Sequence, residues 1–126
     1  MTGKAIQTDQ APQAIGAYSQ AIDLGDFIFI SGQIPLNPST MEVVEGDITA
    51  QTAQVMNNLE AILKEANLTF ANVAKFTIYI TNMEDFKAVD ETYAKFLSTP
   101  YPARATVEVS KLPKGVRIEM DAIAKR

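Results

Sequence analysis

Cysteine, histidine and tryptophan do not occur among the 126 residues. Their absence excludes a thiol nucleophile, a Ser-His-Asp triad, a Cys/His zinc site and the usual ligation of haem or iron–sulfur clusters. No disulfide can form, which fits a reducing compartment. Any metal would need carboxylates alone. Long apolar runs are missing too: Phe27 to Ile30 is far too short to span a bilayer. The opening Met1-Thr2-Gly3-Lys4 lacks the apolar stretch of a signal peptide, so a cytoplasmic location is expected. There is no basic excess, with 11 Lys+Arg against 15 Asp+Glu and a formal charge of −4. Neither nucleic acid nor a membrane is therefore expected as a partner. No G-x-x-x-x-G-K-[ST] or G-x-G-x-x-G occurs, so phosphate cradles have no support.

What remains is ordinary globular composition, 47% hydrophobic and 21% charged. A chain of this length buries roughly two-thirds of its unfolded surface, enough for one domain without staples. With no repeat or linker, a single domain over 1–126 is expected.

Tyr18 to Asp23 and Phe27 to Gln33 read as strands joined by Leu24-Gly25-Asp26. The second is apolar on both faces, Phe27 and Phe29 on one and Ile28 and Ile30 on the other, and should be buried on both. Asp47 is a good N-cap for a helix whose stripe runs Ile48, Thr52, Val55, Met56, Leu59, Ile62, Leu63 and Ala66. Asn67 suits a left-handed stop. Val73 to Ile80 alternates, with Ala74, Phe76, Ile78 and Ile80 on one face. Asn82, with Asp85 three residues on, caps a second helix striped by Phe86, Val89, Tyr93, Phe96 and Leu97. After an extended Thr99-Pro100-Tyr101-Pro102 come two strands. One has Ala103, Ala105, Val107 and Val109 on a face; the other has Val116, Ile118, Met120 and Ala122.

The order is β β α β α β β, with about six strands counting a short one near Ala5 to Thr8. Two helices cover one face of such a sheet. The other face keeps apolar residues and must pack on something, most simply a second subunit.

Side-chain parity yields candidate site residues. If the last two strands turn their apolar sets to one core, Arg104, Thr106 and Glu108 share the opposite face with Arg117, Glu119 and Asp121. Arg104 opens its strand after a rigid Pro-Tyr-Pro lead-in, suited to bidentate capture of a carboxylate. An ion pair with an acidic neighbour is the plainer alternative. Glu119 lies between Ile118 and Met120, where burial would raise its pKa toward the range useful for acid–base work. A salt bridge to Arg104 or Arg117 is the alternative there. Ser31-Gly32 ends a strand where the missing Cβ admits a ligand to the backbone, or simply makes a turn. Tyr18 is either a pocket wall or core. Arg126, the last residue, is expected to fray.

The tail reads Pro102-Ala103-Arg104-Ala105-Thr106-Val107-Glu108-Val109, then Leu112-Pro113-Lys114-Gly115, then Ile118-Glu119-Met120. With Ala14-Ile15-Gly16-Ala17-Tyr18-Ser19-Gln20, Ser31-Gly32-Gln33-Ile34-Pro35 and Asp85-Phe86, it resembles the RidA (YjgF) family of enamine/imine deaminases across essentially the whole chain. The resemblance implies a chorismate-mutase-like α+β fold, a mixed sheet of about six strands with two helices on one face, and a homotrimer closed into a barrel. It implies inter-subunit clefts for small 2-imino and 2-keto carboxylates. The implied reaction is hydrolysis of 2-aminoacrylate and 2-aminocrotonate, or their imine tautomers, to 2-keto acids and ammonia, with no cofactor. By that resemblance Arg104 holds the substrate carboxylate and Glu119 activates water. Tyr18, Ser31 and the Gly32 backbone complete the pocket.

Two positions depart from the family pattern. Thr106 stands where many bacterial relatives have Cys, which excludes thiol-based regulation. Asp90 stands where Asn is common. Its charge would oppose an anionic substrate if it lines the cleft, unless it is simply a solvated helix position. The alternative function is a non-catalytic, trimeric, carboxylate-binding regulatory protein, which would need the arginine but not Glu119. Nuclease or translation-inhibitor activity, also ascribed to relatives, fits badly with acidic balance and absent histidine.

Overall fold

The structure is a computed structural model that describes residues 3–126; Met1 and Thr2, part of the N-terminal stretch read above, lie outside it. Six strands, β1 (Lys4–Ile6), β2 (Ala21–Asp23), β3 (Phe27–Gln33), β4 (Val73–Ile80), β5 (Ala103–Glu108) and β6 (Ile118–Lys125), form one sheet in the order β1-β2-β3-β6-β4-β5. All neighbours are antiparallel except β4 and β5. Helices α1 (Ile48–Glu65) and α2 (Phe86–Lys95) cross over between β3 and β4 and between β4 and β5. Such crossovers place both on the same face, as the strand and helix count requires.

The helix period predicted over residues 48–66 is present as α1. The Asp47 side chain accepts from the Ala50 N–H at 3.0 Å, and Asn67 takes φ 61° just past the end. The second helix starts later than its cap suggests. Asn82 caps a 3₁₀ turn, Met83–Asp85, and α2 proper begins at Phe86. Strand β2 is shorter than read, which leaves Tyr18 in the exposed segment before it.

The core lies between helices and sheet. Ile28, Ile30, Phe76, Ile78, Ile80, Ile118, Met120 and Ala122 pack against Val55, Met56, Leu59, Ile62, Leu63, Val89 and Tyr93. Burying each such aliphatic or aromatic side chain is worth about 1.5–3 kcal/mol. Ala74 is exposed and does not continue the Phe76 face, because a register shift between Val73 and Lys75 resets the alternation. On the uncovered face Phe27 is 43% and Phe29 46% exposed, so the second burial expected of β3 has no source among the described residues.

Arg126 is not frayed. Its guanidinium meets Asp23 at 2.6 Å and donates to the carbonyls of Gly25 and Ala66. The terminus thereby ties the β2–β3 turn to the end of α1.

Candidate active site

Two irregularities position the candidate side chains. The first is in β3. Ile30 pairs with Ala122 and Gln33 with Met120, so Ser31 and Gly32 together stand opposite Asp121. Such a bulge re-aims the strand. It brings Gly32 against Glu119, whose Cδ lies 3.0 Å and Cγ 3.4 Å from where a Gly32 Cβ would sit. The carboxyl occupies space that any other residue would fill. The Ser31 hydroxyl is held inward, donating to the Ser19 carbonyl at 2.6 Å. Tyr18 and Gly32 line one cleft of about 410 Å³, with Ile15, Gln33, Ile34 and Met41 among the other walls.

Glu119 makes no salt bridge among the described residues. The ion pair with Arg104 or Arg117 weighed above is absent within the chain. Burial pushes the Glu119 carboxyl above its ordinary pKa, and the Asp121 carboxylate adds to the effect. Asp121 itself accepts from the Tyr79 hydroxyl at 3.0 Å.

The second irregularity is the parallel pairing of β5. Arg104 pairs with Phe76, Thr106 with Ile78 and Glu108 with Ile80, so these three share the helix-covered face. Glu119 pairs with Tyr79 and Asp121 with Thr77, on the open face. This corrects the parity argument, which put Arg104, Thr106 and Glu108 on the same face as Glu119. Parity orders residues within a strand, whereas the face is set by pairing. Arg104 tolerates the inner face because α2 is built to receive it. Phe86, Asp90 and Tyr93, at i, i+4 and i+7, form one helical stripe above it. The guanidinium carbon lies 5.3 Å from the Phe86 ring centre and 5.2 Å from that of Tyr93. Its Nη1 donates to Asp90 Oδ1 at 2.6 Å. Arg104 and Asp90 line a second cleft of about 420 Å³ with Tyr93, Ala94, Tyr101 and Pro102.

The buried hydroxyls of Tyr93 and Thr106 have no hydrogen-bond partner among the described residues. Such groups cost about 1–3 kcal/mol each. Burial also raises the Tyr93 pKa; Arg104 lowers it and Asp90 raises it by smaller amounts. Of the remaining candidates, Arg117 donates through Nη2 to both Asp85 carboxylate oxygens at 2.8 and 2.9 Å, and Glu108 accepts from the Met83 N–H. Both are structural contacts.

The chain thus holds two half-sites: Tyr18, Gly32 and Glu119, and Arg104 with Asp90. The two are offset by two strands, about 10 Å, and by three residues along the strand, about 10 Å more, on opposite faces. No four-carbon ligand spans that distance. The i, i+4, i+7 spacing of Phe86, Asp90 and Tyr93 was the signal in the sequence that Arg104 faces α2.

Residues 8–126 match the Ribonuc_L-PSP family, described as endoribonuclease L-PSP. Protein DfrA of Myxococcus xanthus is 52% identical over 98% of this chain and 96% of its own length. The 2-iminobutanoate/2-iminopropanoate deaminase of Escherichia coli is 45% identical over 98% of each chain. The solved structure of E. coli TdcF with bound serine is 41% identical, covers 98% of each chain and superposes with a TM-score of 0.94. A family match over nearly the whole length, with relatives this similar, makes the chain a member of the Ribonuc_L-PSP (RidA/YjgF) family.

Proposed function

We propose that this protein hydrolyses reactive 2-imino acids, the tautomers of 2-aminoacrylate and 2-aminocrotonate, to 2-keto acids and ammonia. The observation that carries the proposal is Glu119: a carboxyl kept above its ordinary pKa by burial, without a salt bridge among the described residues, and set against a residue without a Cβ. A merely structural acid on a sheet face has no need of that arrangement. The relative named as an imine deaminase supports the reaction class, and the relative with bound serine supports a small carboxylate as ligand.

The reaction is completed between copies of the chain. The open face, with Phe27 and Phe29 half exposed, packs against a second copy in a homotrimer. One copy contributes Arg104 and its neighbour contributes Tyr18, Gly32 and Glu119. Arg104 holds the substrate carboxylate through charge-assisted hydrogen bonds. Glu119, as carboxylate, takes a proton from a water as its oxygen adds to the imine carbon. As carboxylic acid it returns that proton to the nitrogen, giving a carbinolamine; it then takes the proton of the new hydroxyl and passes it to the amine, so the C–N bond breaks and ammonia leaves as the carbonyl forms. The imine carbon is already electrophilic, so orientation and proton transfer suffice and no cofactor is invoked.

The test is subunit complementation. Arg104→Ala and Glu119→Gln are each assayed for keto-acid release from 2-aminocrotonate made in situ by a threonine dehydratase. Both should be nearly inactive alone. When co-refolded in equal amounts, about one quarter of shared sites regain both groups, and activity returns in proportion. No recovery overturns the shared cleft. A wild-type protein that binds 2-oxobutanoate without hastening imine hydrolysis overturns the deaminase and leaves a carboxylate-binding protein.

A further inference from the structure

The cleft around Arg104 contains two charges, and they cancel. Of its described lining residues Asp90, Tyr93, Ala94, Tyr101, Pro102 and Arg104, Asp90 alone is a carboxylic side chain and Arg104 alone a basic one, with no lysine among them. The pair is preformed at 2.6 Å, with the Arg104 side chain 27% and the Asp90 side chain 47% exposed. It is also one-sided. Only Nη1 of Arg104 has a hydrogen-bond partner among the described residues, so Nη2 and Nε remain for an incoming anion. Phe86 and Tyr93 hold the guanidinium plane in place. An arriving carboxylate therefore finds a fork with one prong taken, and beside it a carboxylate already paired to that fork from a position midway along α2.

We propose that Asp90 is a specificity-determining residue: the Asp90–Arg104 pair admits 2-imino and 2-keto acids with one carboxylate and a neutral side chain, and rejects dicarboxylic ones. The inference rests on the carboxylate-anchor role of Arg104 proposed above. One carboxylate is met by the free prongs of the fork. A second finds no further cation among the described lining residues and is repelled by Asp90 and, in the shared site, by Glu119 from the neighbouring copy. Substrates derived from small neutral amino acids satisfy this rule, whereas those derived from acidic amino acids do not.

Binding to the full-length protein is read by NMR titration with 2-oxobutanoate and with 2-oxoglutarate, probes that report without turnover. Wild type should bind 2-oxobutanoate at least tenfold more tightly, a difference of about 1.4 kcal/mol. Asp90→Asn should narrow the ratio to about threefold or less, and Asp90→Glu, which keeps the charge, should restore discrimination. Asp90→Ser serves in place of the amide if that variant does not fold. The kinetic counterpart uses imines made from 2-aminobutyrate and from glutamate by amino-acid oxidases, where kcat/KM for the glutamate imine should gain most in Asp90→Asn. An unchanged ratio in both neutral variants, or a wild type that prefers 2-oxoglutarate, overturns the proposal. Binding of neither acid overturns it together with the anchor. Discrimination in binding without turnover supports it and removes only the deaminase reading.

Discussion

Gly32 offers a sharp test of how Glu119 is placed. Its φ lies outside the left-handed region, so alanine meets no backbone penalty there. Removing a glycine from extended chain gains about 0.4–1 kcal/mol by restricting the unfolded state. The obstacle is Glu119. An alanine Cβ would sit 3.0 Å from its Cδ, against an ordinary carbon–carbon separation of about 3.5–4.0 Å. Its Oε2 is nearer still, so the carboxyl must retreat by about 1 Å or more, and because it ends a flexible side chain the retreat costs little stability. The chemistry is less forgiving, since a misplacement of about 1 Å costs about 10²-fold. Gly32→Ala should therefore keep its unfolding free energy within about 1 kcal/mol of wild type, a Tm change of about 5 °C at most. Its kcat for imine hydrolysis should fall about 30–100-fold, while KM, which the proposed Arg104 anchor would set, moves little. The decisive measurement is the double variant. If Gly32 acts through Glu119, adding Gly32→Ala to Glu119→Gln costs nothing further. A second large loss in that background, or full turnover in the single variant, would refute the reasoning. A collapse in Tm would reduce Gly32 to a structural requirement of the bulge.

Three further outcomes follow from the same geometry. Burial raises the Glu119 pKa above its ordinary 4.5, so the folded state holds that proton more tightly than the unfolded state and loses stability as pH rises through the folded value. Glu119→Gln should then show a higher urea midpoint than wild type at pH 7, with the difference vanishing below about pH 4.5; a lower midpoint at pH 7 would mean that the carboxylate is paired in the assembly. Asp85→Ala removes both acceptors of Arg117 Nη2, and because the Asp85 side chain is only 12% exposed the cost should be about 1–2 kcal/mol, or about 4–8 °C in Tm; a shift under 1 °C would show the pair to be solvated away. Arg126→Ala should accelerate amide exchange at Leu24, whose N–H bonds the Phe27 carbonyl at 2.8 Å in the turn that Arg126 clamps, and unaltered exchange there would contradict the clamp.

The helices were legible in the sequence because their signals are local. The α1 stripe, the Asp47 cap and the Asn67 stop are all set within a few residues of one another. The strands were legible as strands for the same reason. Which way they face was not, and the failure fell on the site. Arg104 reads as an outward residue because its neighbours Ala103 and Ala105 are small and apolar. The pairing of Arg104 with Phe76 reverses that reading, and Val107 is left 42% exposed on the open face. An edge strand has one partner, so one non-local register decides its orientation, and its own composition carries little weight. The guanidinium accepts an inner position because it is planar and stacks on aromatic rings as an aliphatic chain would. Gly32 shows the same limit, since Ser31-Gly32 is only a candidate turn until β6 supplies a single residue, Asp121, opposite the two. Each half-site is thus fixed by a pairing between distant segments, Arg104 through β4 and Glu119 through β3. A sheet that separates the two within one chain is why the proposed reaction requires a second copy.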